Sequence, residues 1–264
     1  MSDALVTSWF DPTRVNLLVG IAAFIGFILI NIARARRGSD MYIRPMAGLK
    51  AVDEAIGRAT EMGRRVLYLP GLGDMSEVGT LASISILGRV ARRTAEMGCD
   101  LDVPGYDPVA TTIMDGAARQ AYIEAGRGDA YRPGTVHYVA AQQFAYVAAV
   151  SGVMLRERPA ANIYMGSFYA ESLFLAETGN LTGAIQIAGC DQVTQLPFFV
   201  CACDYTLLGE ELFAAGAFLG REPVQLATIA AQDWAKALAA AMVVASLVAS
   251  AAGHPELGRL LQTQ

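Results

Sequence analysis

Two long uncharged runs bracket a region in which short β-prone segments alternate with amphipathic helical ones. The first run, residues 15–33, reads VNLLVGIAAFIGFILINIA and has no charge between Arg14 and Arg34. At about 1.5 Å of rise per residue, a helix of this length nearly crosses a ~30 Å hydrocarbon core, so it reads as an N-terminal transmembrane helix. A buried core helix would carry a polar face, whereas this run has only Asn16 and Asn31 near its ends. A cleaved signal peptide would place its positive charge first; here Asp3, Asp11 and Arg14 precede the run and Arg34, Arg36 and Arg37 follow it. By the positive-inside rule the N-terminus then lies outside the cell membrane and the main domain faces the cytoplasm.

The second run, residues 237–253 (ALAAAMVVASLVASAAG), is shorter and only moderately apolar. It reads either as a second span returning the chain outward, which its length and flanks favour, or as a buried or interfacial helix packed on the domain. Its small residues suit close packing against a first helix that carries Gly20 and Gly26, and Lys236 could snorkel to the interface. The expected organisation is therefore an anchor over residues 1–38, a cytoplasmic domain over 39–232, and a second hydrophobic helix with its tail over 233–264.

Within the central region, Leu49, Val52, Ile56, Ala59 and Met62 recur at helical steps and Gly63 ends the pattern, which predicts a helix over 46–62. Residues 66–69 (VLYL) predict a strand stopped by Pro70. A helix follows from Ser76, an N-cap residue type, to Gly98. Strands are expected at 101–103, 135–139, 162–165, 184–187 and 198–203, with helices at 108–125, 141–156, 169–177 and 207–219. Such alternation implies βαβ crossovers and a Rossmann-like α/β domain with helices on both faces of the sheet. The connection from Cys190 to Pro197 is too short for a full crossover and predicts an antiparallel hairpin. The sheet is therefore expected to be mostly parallel but mixed.

Composition sharpens this picture. Hydrophobic residues make up 54% of the 264 and charged residues 17%, below the usual share of about 25%, which excludes disorder and points to contact with lipid. The net charge of −5, without a clustered basic footprint, excludes nucleic acid as a partner. Four irregularly spaced cysteines (Cys99, Cys190, Cys201, Cys203) fit reduced cytoplasmic thiols better than a disulfide framework or a zinc site.

In open α/β sheets ligands bind beyond the carboxyl ends of the strands. Four expected strands end in small residues followed by an aspartate: Gly71-Leu72-Gly73-Asp74, Gly105-Tyr106-Asp107, Gly189-Cys190-Asp191 and Ala202-Cys203-Asp204. A fifth ends at Gly166-Ser167, with Glu171 close behind. Gathered on one edge, Asp74, Asp107, Asp191 and Asp204 could ligate Mg²⁺ or Ca²⁺, with Gly71, Gly73, Ser167 and Glu171 completing a ligand site. Each aspartate singly also suits a helix cap or turn. Gly71 and Gly73 lack the third glycine of a dinucleotide fingerprint and the lysine of a P-loop. His137, inside an expected strand, reads as a core residue, and His254 lies beyond the last apolar run.

The strings beginning at Gly71 (GLGDMSEVGTLASISILGRVA), Gln142 (QQFAYVAAVSGVMLRERPAANIYMGSFYAESLFLAETGN) and Ala188 (AGCDQVTQLPFFVCACDYTLLGEELFAAGAFLGREP) resemble a family of prokaryotic membrane proteins known as a domain of unknown function. The resemblance covers most of residues 69–223. It implies a membrane-tethered α/β domain followed by a second hydrophobic helix, and implies no activity or catalytic residue. The expected function is a tethered module that forms a homo-oligomer and binds a small ligand or cation in a structural or regulatory role. The alternatives are a divalent-cation-dependent enzyme acting on a phosphorylated or membrane-derived substrate, and a subunit of a larger membrane complex.

Overall fold

The structure, a computed structural model, describes residues 15–36, 47–220 and 223–251. Asp3, Asp11, Arg14, Arg37, Met46 and His254, all used in the sequence reading, lie outside the described residues. The chain divides into two compact units, one formed by Met1–Ile43 with Glu222–Gln264 and the other by Arg44–Arg221.

In the first unit, helix α1 (Val15–Arg36) and helix α9 (Pro223–Ala251) pack on one another. Among the described residues no helix is long and apolar enough to cross a membrane. This corrects both expected transmembrane helices. The charge-free stretch of α1 gives only roughly 28 Å of helix, and that of α9, beyond Asp233 and Lys236, only about 22 Å, each short of a ~30 Å core. Asn31 further interrupts the apolar run of α1, where its amide donates to the Phe27 carbonyl at 2.9 Å.

The second unit is a doubly wound α/β domain. Its elements run α2 (Ala47–Met62), β1 (Val66–Leu69), α3 (Val78–Met97), β2 (Leu101–Gly105), α4 (Pro108–Glu124), β3 (Val136–Tyr138) and α5 (Gln143–Glu157). They continue through β4 (Ala161–Gly166), α6 (Glu171–Thr182), β5 (Ile185–Cys190), α7 (Leu196–Ala202), β6 (Tyr205–Leu208) and α8 (Glu210–Gly220). The six strands lie in the order β3-β2-β1-β4-β5-β6, and every pairing is parallel.

Side chains of β1 show why the sheet must be covered twice. Val66 and Tyr68 join one core with α2, α3, α4 and α8, while Leu67 and Leu69 join the other with α5, α6 and α7. All four are fully buried, so the strand reads as a continuous apolar run rather than an alternating one. On the first face, α2 contributes Val52, Ala55, Ile56 and Ala59 at helical spacing. On the second, Tyr164, Phe168 and Phe199 stack edge-on or tilted, with ring centroids 5.3–6.2 Å apart.

Two further expectations are corrected here. Residues 198–203 are not a strand, and no antiparallel hairpin forms. Pro197 opens α7, whose Phe199 is buried while Phe198 and Val200 face outward, and the sixth strand follows at Tyr205–Leu208, parallel to β5. A short apolar run has no period that separates strand from buried helix, and Pro at a first helical turn tips the balance. Nor is His137 a core residue. It sits on edge strand β3 with its side chain 40% exposed, its Nδ1 3.5 Å from the Asp102 carboxylate.

Candidate functional site

The strand order reverses between β1 and β4, and in such sheets the crevice beyond that reversal is the place where ligands sit. Here the two loops leaving those strands are drawn together. After Pro70 the chain turns through Gly71, whose φ is +83°, and the Leu72 N–H donates to the Ser167 carbonyl at 2.8 Å. A side chain on Gly71 would collide with the Ser167 backbone, and one on Gly166 (φ +135°) would collide with Pro70. These glycines allow backbone to touch backbone, which holds the Ser167 side chain at the carboxyl edge.

Helix α3 then starts against this edge. Gly79, in its first turn, has no room for a Cβ, because the Ser167 Oγ and the Asp191 carboxylate occupy that space at 2.5 and 2.8 Å. Ser167 Oγ donates to Asp191 Oδ2 at 3.0 Å, tying the end of β4 to the end of β5. The Tyr169 hydroxyl donates to Glu77 Oε1 at 2.9 Å. Gly73 lies where a Cβ would meet both Thr80 Oγ1 and Glu77 Oε2. Glu171 is fully buried and satisfied, taking the Tyr169 N–H at 2.6 Å on one oxygen and the Gln143 side-chain amide at 2.5 Å on the other.

Three buried polar atoms here have no hydrogen-bond partner: Glu77 Oε2, Thr80 Oγ1 and Asp191 Oδ1. Buried polar groups left unpaired are costly, and the Thr80 hydroxyl, which can donate as well as accept, shares the space before Gly73 with Glu77 Oε2, so this edge is the candidate site. The electrostatics agree. Burial pushes the Asp191 carboxyl up from its ordinary value, with the nearby Glu77 charge adding to it and the Ser167 bond opposing it. Tyr169 is pushed up to about 12, first by burial and then by its bond to Glu77.

Of the residues named from the sequence, the fold brings Gly71, Gly73, Ser167, Asp191 and, one contact away through Tyr169, Glu171 to this edge. It does not bring the others. Asp74 turns back to accept the Ser76 N–H and hydroxyl at 2.7 and 2.5 Å, which holds its carboxyl below the ordinary value. Ser76 is therefore a turn donor rather than the cap of α3, whose N-cap is Glu77. Asp107 caps α4 by accepting the Ala110 N–H at 2.7 Å. Asp204 sits at the amino end of β6, where it accepts the Gln186 N–H at 2.8 Å. Among the described residues no group of three or more His, Cys, Asp or Glu side chains could hold a metal ion, so the four aspartates do not form the expected cation cage.

The sequence reading passed over Glu77, Thr80 and Tyr169. Gly79 was the available signal, since a glycine in the first turn of a helix marks a close approach. A separate cleft of about 340 Å³ runs beside β3 and α5, lined by Pro104, His137, Tyr138, Val150, Val153 and Arg156 among others. Among the described residues no unpaired buried polar atom lines it.

No curated protein and no solved structure matches the chain. A family model does, over residues 6–258, and the chain belongs to the family described as Domain of unknown function (DUF6754).

Proposed function

We propose that this chain is a self-associating α/β module that works at a membrane surface and binds a small cationic ligand where β1, β4 and β5 end. The observation that carries the proposal is the set of unpaired buried oxygens on Glu77, Thr80 and Asp191. Two are carboxylate oxygens, so the missing partner is positively charged and rich in donors. Phosphorylated ligands fit poorly, because the first turn of α3, where a phosphate would bind, already faces the protein's own Glu77 and Asp191.

Self-association and a membrane setting are supported by the apolar side chains that α1 and α9 leave uncovered, Leu29, Ile30, Trp234, Leu238 and Leu247 among them. The test of the ligand site is the melting temperature of the full chain against a panel of metal and organic cations. A saturable rise that Asp191→Asn removes is expected, and no rise with any cation overturns the reading. Native mass spectrometry of the same sample is expected to show a defined homo-oligomer; a monomer at all concentrations overturns self-association.

A further inference from the structure

We propose a second site, separate from the carboxyl edge: the cleft between β3 and α5 binds a small monoanion, a carboxylate carried on a short apolar body. The cleft follows from the crossover. β3 lies at the edge of the sheet, and α5 leads from it past β2 and β1 to β4. Tyr146, Val147, Val150 and Met154 draw α5 into the core that it shares with Leu67 and Leu69 of β1, away from the edge strand. Val136 of β3 turns to the opposite core, so His137, next along the strand, is left half-buried on the α5 side. Facing that strand, α5 presents Ala148 and Ala149, too small to fill the gap, and about 340 Å³ stays open.

The charge of the lining names the ligand. Arg156 is the one lining residue with a permanent charge, and no acid lines the cleft. The acids nearest in the fold are engaged elsewhere: Asp102 and Glu157 both face Arg65, at 3.5 and 3.6 Å. Among the described residues Arg156 itself makes no ion pair or hydrogen bond. Its side chain folds back over Gly152, where a Cβ would come within 2.9 Å of its Nη1. The His137 ring is held by its Nδ1, 3.2 Å from the Gly134 carbonyl and 3.5 Å from Asp102, and forms a wall. Pro104, Val139, Val150 and Val153 make most of the remaining surface hydrocarbon. An apolar cleft of this size with one placed charge has the make-up of a small-molecule site. One permanent cation balances one negative charge, and the planar guanidinium fork matches a carboxylate through two parallel N–H bonds. A dianionic phosphate would leave a charge uncompensated.

The experiment is calorimetric titration of the full chain with hexanoate, acetate, 1-hexanol, n-hexylammonium and inorganic phosphate. Hexanoate is expected to bind saturably and more tightly than acetate, by up to about fourfold for each methylene that the cleft covers. It is expected to outbind n-hexylammonium, against the chain's net charge of −5, and to outbind 1-hexanol and phosphate. Arg156→Gln, at an exposed position, is expected to weaken hexanoate roughly fivefold or more. Ala149→Leu keeps a good helix former in α5 and fills the cleft, so it is expected to remove the advantage of hexanoate over acetate. Both variants are expected to melt with the parent chain, which separates lost binding from lost fold. No hexanoate binding, or equal binding by the Arg156→Gln chain, overturns the site. n-Hexylammonium binding as tightly as hexanoate overturns the anion and leaves only adsorption of alkyl chains to apolar surface. Phosphate binding more tightly than hexanoate overturns the carboxylate, and an unchanged hexanoate advantage in the Ala149→Leu chain overturns the apolar body. Asp191→Asn is expected to leave hexanoate binding unchanged; its loss there overturns the separation of this cleft from the carboxyl edge.

Discussion

Ser167 and Asp191, 24 residues apart in the chain, meet at 3.0 Å where β4 and β5 end, the hydroxyl donating to the carboxylate. The contact uses one oxygen of Asp191 and leaves the other buried and unpaired. The same residue thus closes the edge of the sheet and keeps open a demand for a donor. Fold and proposed function compete for this carboxylate, which makes it the most informative position to change.

Asp191→Asn is expected to stabilise the ligand-free chain at neutral pH. A raised carboxyl binds its proton more tightly folded than unfolded, so the fold loses stability as pH climbs from the ordinary carboxylate range through the raised value. Asparagine has no such titration and keeps an oxygen for Ser167. Thermal melts should place the variant about 2–4 °C above the parent at pH 7.5, with the two converging near pH 4. A variant that melts below the parent at pH 7.5 refutes the account.

Gly71→Ala and Gly88→Ala should have opposite signs. At Gly71 the positive φ and the Ser167 backbone leave no place for a methyl group. Denaturant titration should show a loss of about 2–4 kcal/mol. Gly88 lies within α3 with nothing within 4 Å of a Cβ, and alanine there should gain up to about 1 kcal/mol. Similar effects at the two positions would deny that the β1 and β4 loops are in contact.

Gln186→Leu tests a buried polar network under α6 and α7. The Gln186 amide donates to the Ala176 and Ala202 carbonyls at 3.0 and 2.7 Å, and its oxygen accepts from the Tyr164 hydroxyl at 2.7 Å. Leucine fills the space but takes a donor from the Ala176 and Ala202 carbonyls and an acceptor from the Tyr164 hydroxyl, which keeps only its 3.1 Å bond to the Leu175 carbonyl. The expected loss is about 2–4 kcal/mol by chemical denaturation, and a neutral result would mean that α6 and α7 are held otherwise.

Asp107→Ala separates cap from ligand. Losing the bond to the Ala110 N–H should cost about 1 kcal/mol while leaving any cation response of the chain intact. Loss of that response would return Asp107 to the binding site.

The alternation of β-prone runs with helices made the α/β class legible, because burial of a strand on both faces and of a helix on one leaves a local periodic trace. Val66–Leu69 and the helix ending before Gly98 are cases where the pattern and the structure coincide. It failed at residues 198–203, where Phe198, Phe199 and Val200 carry no period long enough to tell strand from helix. It failed also at the uncharged runs of the two ends, read as spans because hydropathy reports what a segment avoids and not what it meets. At the candidate site, glycines and strand-end acids stood out, but their roles did not: Asp74, Asp107, Asp191 and Asp204 look alike in sequence. Only pairing across the sheet decided that Asp191 meets Ser167, Glu77 and Gly79 while the other three serve turns, caps and a neighbouring strand. Local chemistry determines elements, whereas convergence belongs to strand order, which is set by contacts between residues far apart in the chain.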